Sequence, residues 1–324
     1  PWAMYSLFGL IVAYNLYIRK EKNFLTAIVA NVKNNSINKI IPIFIIIITI
    51  AGVIASLGLG TSQFIGGINQ YFNLDLGYKS ILLTVSAIGI IGTLSALTGI
   101  SKVIKYLADF DMAVYLYIVH FFEMSLSIGE FKTSEQFTED WTVFYWAFWL
   151  AWVPFTGIFI ARISKGRTIR EFLIATILVP AFATILWFSV FANNAFEISE
   201  HSSKTQFNSL YTSLFVFLEH YPLSIVTIFI AIILVLVSII NSVDSAIFVL
   251  GMFSDGGKEN PSRKHKLFWG IIITTTAIGL SAVGTSNLLN AISSLLTILA
   301  LPFSILYLYI IISFIVKLIK NPIK

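Results

Sequence analysis

Tyr145, Trp149, Trp152 and Thr156 recur at intervals of three and four residues, so on a helix of about 3.6 residues per turn they stack along one side. Phe148 lies beside them. Four of the chain's seven tryptophans fall between Trp141 and Trp152. The faces of indole and phenol rings attract cations, by roughly 2 kcal/mol per contact when water is excluded. Such a wall suits a cation that cannot donate hydrogen bonds, a quaternary ammonium above all. Most membrane tryptophans instead form belts where helix ends meet the headgroups. Trp149 and Trp152 stand a third to a half of the way into the helix, which favours a wall, but spacing alone leaves both readings open.

A second group that could do chemistry is Asn241-Ser-Val-Asp-Ser245, the dense polar cluster inside a long apolar stretch. An ionisable residue within a membrane helix costs about 2.5 to 3.5 kcal/mol, so Asp244 needs a reason to be there. It is either functional or a structural acceptor for nearby backbone or an arginine. Ser56, Thr61 and Ser62 could also offer oxygens to an ion. Gly58 and Gly60 resemble part of a dinucleotide loop, but no strand precedes them and no acidic residue follows at the proper distance. Close helix packing accounts for them better. His120, His201, His220 and His265 are scattered without metal-binding spacing, and no Gly-x-Ser-x-Gly elbow, Walker loop or catalytic acid pair occurs. The chain is expected to be neither an enzyme nor the holder of a cofactor, apart from a coupling ion.

These residues must be positioned by helices in a bilayer. The 324-residue chain is 57% hydrophobic and 11% charged, with no cysteine, and a soluble domain of that size needs far more surface charge. The uncharged run Thr142–Ala161 can cross about 30 Å of hydrocarbon as one helix. Further spans are predicted at residues 1–18, 40–68, 81–100, 172–192, 223–253, 267–283 and 295–318, with a polar external loop at 193–208 and a short amphipathic helix at 210–218. Pro180 predicts a kink. Of the 21 lysines and arginines, 18 fall within Arg19–Lys39, Lys102–Lys105, Arg162–Arg170, Lys258–Lys266 and the C-terminal Lys317–Lys324. These segments are predicted to be cytoplasmic by the positive-inside rule, so the net charge of +5 needs no nucleic acid to explain it. Between Lys102–Lys105 and Arg162–Arg170 an even number of crossings is required, so 107–128 must cross too, although it is short and interrupted by His120 and Glu123. That gives nine spans, or else residues are missing from this stretch.

The run Trp141–Phe172, with its Trp-rich core, the Pro154-Phe155 pair and the exit Ala161-Arg-Ile-Ser-Lys-Gly-Arg-Thr-Ile-Arg170, resembles the signature helix of the betaine/choline/carnitine transporter (BCCT) family. Weaker echoes run along nearly the whole chain. The resemblance implies an all-α polytopic membrane protein of the LeuT type, a bundle of inverted repeats with ten core helices. On that frame 1–128 is the remainder of the first repeat, 129–140 an external connection and 141–324 the second repeat. The first core helix is not in this sequence, and the chain, which begins at Pro1 without an initiating Met, is expected to be N-terminally truncated.

The family implies uptake of glycine betaine or a related quaternary-ammonium solute through the plasma membrane, coupled to Na+ or H+, by alternating access and for osmotic protection. The implied alternative is a partial or degenerate member that inserts without transporting. By resemblance Trp2 and Tyr5 help line the cation box and Phe155 lines the inner path. Phe148 stands where relatives commonly carry a further Trp. In Asn241-Ser-Val-Asp-Ser245 the first two residues match sodium-binding hydroxyls, with Asn241 in place of a Thr, a change that weakens the case for sodium. A homotrimer is implied by resemblance only, and the short C-terminus argues against regulation by a tail.

Overall fold

The structure, a computed structural model, describes residues 1–98, 143–201, 207, 209–281 and 285–320, with no strand among them. The expectations for Trp141, Thr142, the short span at 107–128 and the connection at 129–140 lie outside the described residues. In chain order the elements are α1 (Trp2–Ala13), a π-turn (Tyr14–Ile18), α2 (Phe24–Val29), α3 (Asn35–Phe72), α4 (Tyr78–Thr98) and α5 (Phe144–Ile163). There follow α6 (Ile169–Leu173), a second π-turn (Ile174–Leu178), α7 (Val179–His201), α8 (Ser213–Glu219), α9 (Ser224–Ser254), α10 (Arg263–Ser281) and α11 (Thr285–Lys320). Asn35–Phe72, Phe144–Ile163, Ile169–Phe188, Ser224–Ser254 and Ala291–Lys320 are long and apolar enough to cross a membrane, and Trp2–Ile18 and Tyr78–Leu94 are shorter apolar helices.

Helix ends follow local chemistry. Asn34 caps α3 by accepting from the amides of Ser36 and Ile37, and Asn73 ends it in the left-handed conformation at φ 52°. Asn23 with Thr26, and Thr168 with Glu171, form capping boxes that start α2 and α6. Two expectations change. The loop predicted from Asn193 is helical through His201, because no glycine or proline intervenes to stop α7. The kink predicted at Pro180 is a π-turn that immediately precedes α7, in which Pro180 is the second residue. Pro180 has no N–H to give the carbonyl four residues back, and the chain absorbs that loss by widening a turn.

The helices pack in two groups. In one, α3, α4, α9 and α10 pack together, with small residues setting close approach. Between α4 and α10, Thr274 lies over Gly89 and Thr93 over Gly270, so the two helices exchange reciprocal knobs as they run antiparallel. Against α9, Gly92 takes Val243 and Gly60 of α3 takes Ile239. The other group is α1, α5 and the helix from α6 through α7. Here backbones touch, for a Cβ at Gly9 would stand 2.8 Å from the Gly157 carbonyl oxygen. α11 lies against both groups through α5 and α3.

One end of the bundle gathers the basic segments. Lys317 donates to the Ala30 carbonyl at 2.7 Å and Arg19 to the Asn31 side chain at 3.0 Å. Arg162 reaches Asn260 at 3.1 Å, and Lys165 approaches Glu259 at 3.9 Å. Gly257, at φ 80°, presses against Asn23, where a side chain of its own would collide. Four of the five segments predicted to be cytoplasmic thus meet, and the fifth, Lys102–Lys105, lies outside the described residues.

Candidate functional site

α5 carries the aromatic residues as one continuous run of ring contacts. Tyr145 tilts onto Trp149 with centroids 5.9 Å apart, and Trp146 meets Trp149 edge-on at 5.8 Å. Tyr145 also meets Phe144 edge-on at 5.4 Å, and from there the run continues Phe144–Phe148–Trp152–Phe155 at centroid separations of 5.9, 6.0 and 5.2 Å. Spacing had placed Trp149 and Trp152 in one row; the side chains link them through Tyr145, Phe144 and Phe148. Trp149, Trp152 and Phe148 are half-buried and Phe155 is buried, whereas Tyr145 is 37% and Trp146 52% exposed. Trp152 packs against the buried core, whereas the ring contacts of Trp149 are to Tyr145 and Trp146 on its own helix. Trp152 lies against α3 at Gly52, where an added Cβ would sit 3.3 Å from the indole ring. Its Nε1 is enclosed and has no hydrogen-bond partner among the described residues.

α1 delivers the second part. Trp2 and Tyr5 meet edge to face at 5.8 Å, Tyr5 buried and Trp2 36% exposed. α1 and α5 cross at Gly9 and Gly157, and the loop at 257–260 touches both Asn23 beyond α1 and Arg162 at the end of α5, so the two helices run parallel. At 1.5 Å per residue Trp2 and Trp149 lie about 10 and 12 Å before the crossing, and Tyr5 and Trp152 about 6 and 7.5 Å before it. The two aromatic groups therefore share one depth on neighbouring helices, without a ring-to-ring contact between them among the described residues.

The residues expected to hold an ion are not drawn into one shell. On α9, Asn241 is exposed, Ser242 spends its hydroxyl on the Ser238 carbonyl at 2.9 Å, and Asp244 is half-buried. Asp244 acts electrostatically on Lys266, whose ammonium donates to the Ala96 carbonyl at 2.8 Å and lies 4.7 Å from the centre of the Phe248 ring. The opposing Arg162 guanidinium is 4.3 Å from the same ring. On α3, Ser56 and Ser62 bond back to Gly52 and Gly58, while the buried Thr61 hydroxyl has no partner. No group of three or more His, Asp or Glu side chains suited to a metal occurs among the described residues. A small apolar dent lined by Phe24, Leu25, Ile158 and Val249 lies toward the basic end and presents no polar group.

Sequence reasoning missed Ser6 and Tyr307. Ser6, fully buried in α1, donates to the Thr176 carbonyl in the second π-turn at 3.1 Å. Tyr307 of α11 donates to the Met4 carbonyl at 2.7 Å. Pro180, four residues after Thr176, was the available signal for the first; nothing in the sequence marks the second.

Two packed helix groups built on several long apolar helices, with the basic segments gathered at one end, define a polytopic all-α membrane protein. The sequence profile of the betaine/carnitine/choline family transporters matches residues 1–119 and 110–323. The chain belongs to that family. It is similar to the glycine betaine transporter OpuD of Bacillus subtilis, with 36% identity over 99% of this chain and 68% of that protein. The betaine/ectoine transporter LcoP of Corynebacterium glutamicum is 32% identical over 99% of this chain and 56% of its own length. An ectoine/hydroxyectoine transporter of Virgibacillus pantothenticus is 28% identical over 97% of this chain and 68% of its own. The profile matches in two pieces that meet at 110–119, within the short stretch 107–128. The alignment with OpuD runs over 354 residues against a chain of 324, so at least 30 of its positions have no residue here.

Proposed function

We propose that this chain is a secondary transporter that takes up glycine betaine or a related quaternary-ammonium compatible solute across the plasma membrane by alternating access. The observation that carries the reading is the aromatic surface of α5, half-buried and at the same depth as Trp2 and Tyr5. In this reading Tyr145, Phe148, Trp149 and Trp152, with Trp2 and Tyr5, hold the methylated ammonium by their ring faces. The enclosed N–H of Trp152 is a free donor for the solute's carboxylate, and Phe155 lines the path toward the basic end. Residues 1–128 and 141–324 supply the two repeats that move against each other.

Coupling to Na+ or H+ is assigned to the polar turn of α9, with Asn241 and Ser242 as oxygen donors and Asp244 as the nearby charge. Ser242 gives its proton to the Ser238 carbonyl, which leaves the lone pairs of the hydroxyl oxygen for a cation. We assign the assembled state as a homotrimer on family grounds. Radiolabelled glycine betaine uptake by cells expressing the full-length polypeptide, with and without sodium and with ectoine as competitor, tests the reading. Uptake that the Trp149→Leu variant loses is the expected result; absence of uptake of any methylammonium solute would remove it. The split match at 110–119 favours a second reading, a partial family member that inserts without transporting, and the same measurement separates the two.

A further inference from the structure

α1 presents Trp2 and Tyr5 from its first turn, and two hydrogen bonds from outside hold that turn. Hydroxyls inside apolar helices ordinarily bond to the carbonyl one turn back on their own helix. Ser56, Ser62, Ser86, Thr93 and Ser242 all do so here. Ser6 does not: it reaches across to Thr176 of the π-turn. The acceptor explains the choice. In a regular helix the donor for the Thr176 carbonyl would be residue 180, and residue 180 is proline, so Ser6 gives that carbonyl a donor the proline lacks.

Tyr307 acts from α11. Its ring stacks on Phe303 at 6.0 Å and meets Phe8 at 5.8 Å, and only 5% of the residue is exposed. Its hydroxyl adds a bond to the Met4 carbonyl, between Trp2 and Tyr5 in the chain. Both bonds enter the segment Met4–Ser6 from different neighbouring helices, which fixes its rotation as well as its height. The two bonds add to the packing of Tyr5 and Phe8 in the core.

We infer that Tyr307 and Ser6 are positioning residues of the cation site, holding the first turn of α1 so that Trp2 and Tyr5 face the solute at the depth of Trp149 and Trp152. The inference rests on the transport reading above. Tyr307→Phe and Ser6→Ala each delete one hydroxyl and leave the packing in place. Each is expected to raise the KM for glycine betaine about fivefold, the equivalent of one ordinary hydrogen bond, with maximal rate and membrane abundance unchanged. Combined with Trp2→Phe, Tyr307→Phe is expected to raise KM by less than the product of the single effects, because the bond acts through Trp2. An unchanged KM in both hydroxyl variants, a loss confined to abundance or maximal rate, or strictly multiplicative effects with Trp2→Phe would overturn the inference. Should Tyr307→Phe fail to reach the membrane, Ser6→Ala carries the test on the same criteria. If the unaltered protein transports and the variants match it, only the positioning role fails. If it takes up no methylammonium solute, the transport reading fails and the positioning role with it.

Discussion

Trp152 combines a ring in the aromatic chain with an enclosed N–H that bonds to nothing among the described residues, and these pull in opposite directions. An unpartnered buried donor costs on the order of 1 to 3 kcal/mol, which a fold retains only for a return elsewhere. Trp152→Phe is therefore expected to leave thermal stability equal or higher while lowering uptake, with KM rising and not the maximal rate. A variant less stable and fully active would show that the N–H serves the fold. Trp149→Leu removes a ring face and keeps bulk, and loss of about 2 kcal/mol of cation–π attraction corresponds to a rise in KM of roughly 30-fold. Tyr or Phe at the same position should recover much of it. At this scale the sequence marked the rings of α5 as neighbours of one another, since ring type and spacing are local properties. It could not show that Trp149 and Trp152 are linked through Tyr145, Phe144 and Phe148 and not directly, because that depends on side-chain rotamers. The role of Ser6 was illegible for a related reason: a helical serine has its own carbonyl within reach, and only the neighbour's proline redirects it.

Among the elements, the crossing of α1 and α5 has least slack. A Cβ added at Gly9 would stand 2.8 Å from a backbone oxygen, so a methyl group there must displace a main chain, whereas Gly166, at φ 82°, faces open space. Gly9→Ala is expected to lower the melting temperature and abundance far more than Gly166→Ala, whose penalty is the backbone strain of about 1 kcal/mol that a side chain meets at positive φ. Equal effects would show that the helices separate easily. The loop joining α9 to α10 depends on charge. The Asp255 carboxylate accepts from Lys258 at 2.6 Å and from the Ser262 amide at 2.8 Å, with His265 at 3.7 Å, and these partners, Lys258 foremost, hold its pKa below the ordinary value. A carboxyl whose pKa is lowered by folding stabilises the folded loop above the unfolded value, about 3.9, and loses that contribution as pH falls through the lower folded value. Hydrogen exchange at the Ser262 amide should be protected at neutral pH and lose protection below about pH 4, and Asp255→Asn should lose it throughout. The positions of most helices were legible because uncharged runs and basic exits mark them directly. The extension of α7 to His201 was not, since polar residues at a helix end look like a loop until something fails to break them.

For the molecule as a whole the question is which end faces the cytoplasm, because alternating access has meaning only with that direction fixed. Basic segments distant in sequence are brought to one end, where Lys317 meets Ala30, Arg162 meets Asn260 and Lys165 meets Glu259. At the other end α8 crosses the tips of α3 and α9, with Tyr211 and Phe215 against Gly66 and Gly67 and Gln70 bonded to Glu219 at 2.7 Å. Lysine and arginine are retained on the cytoplasmic side during insertion, whereas acidic residues bias orientation little. A bundle with its basic charge at one end therefore has one orientation strongly preferred. The chain contains no cysteine, so single replacements report position without background. Asp75→Cys, in the exposed turn after α3, is expected to react with a membrane-impermeant thiol reagent added to intact cells. Glu259→Cys, in the exposed loop after α9, is expected to react only after the membrane is opened. The reverse pattern would place the basic end outside and invert the path from Trp149 past Phe155, and labelling of both sites in intact cells would show that the two ends do not lie on opposite sides of a membrane.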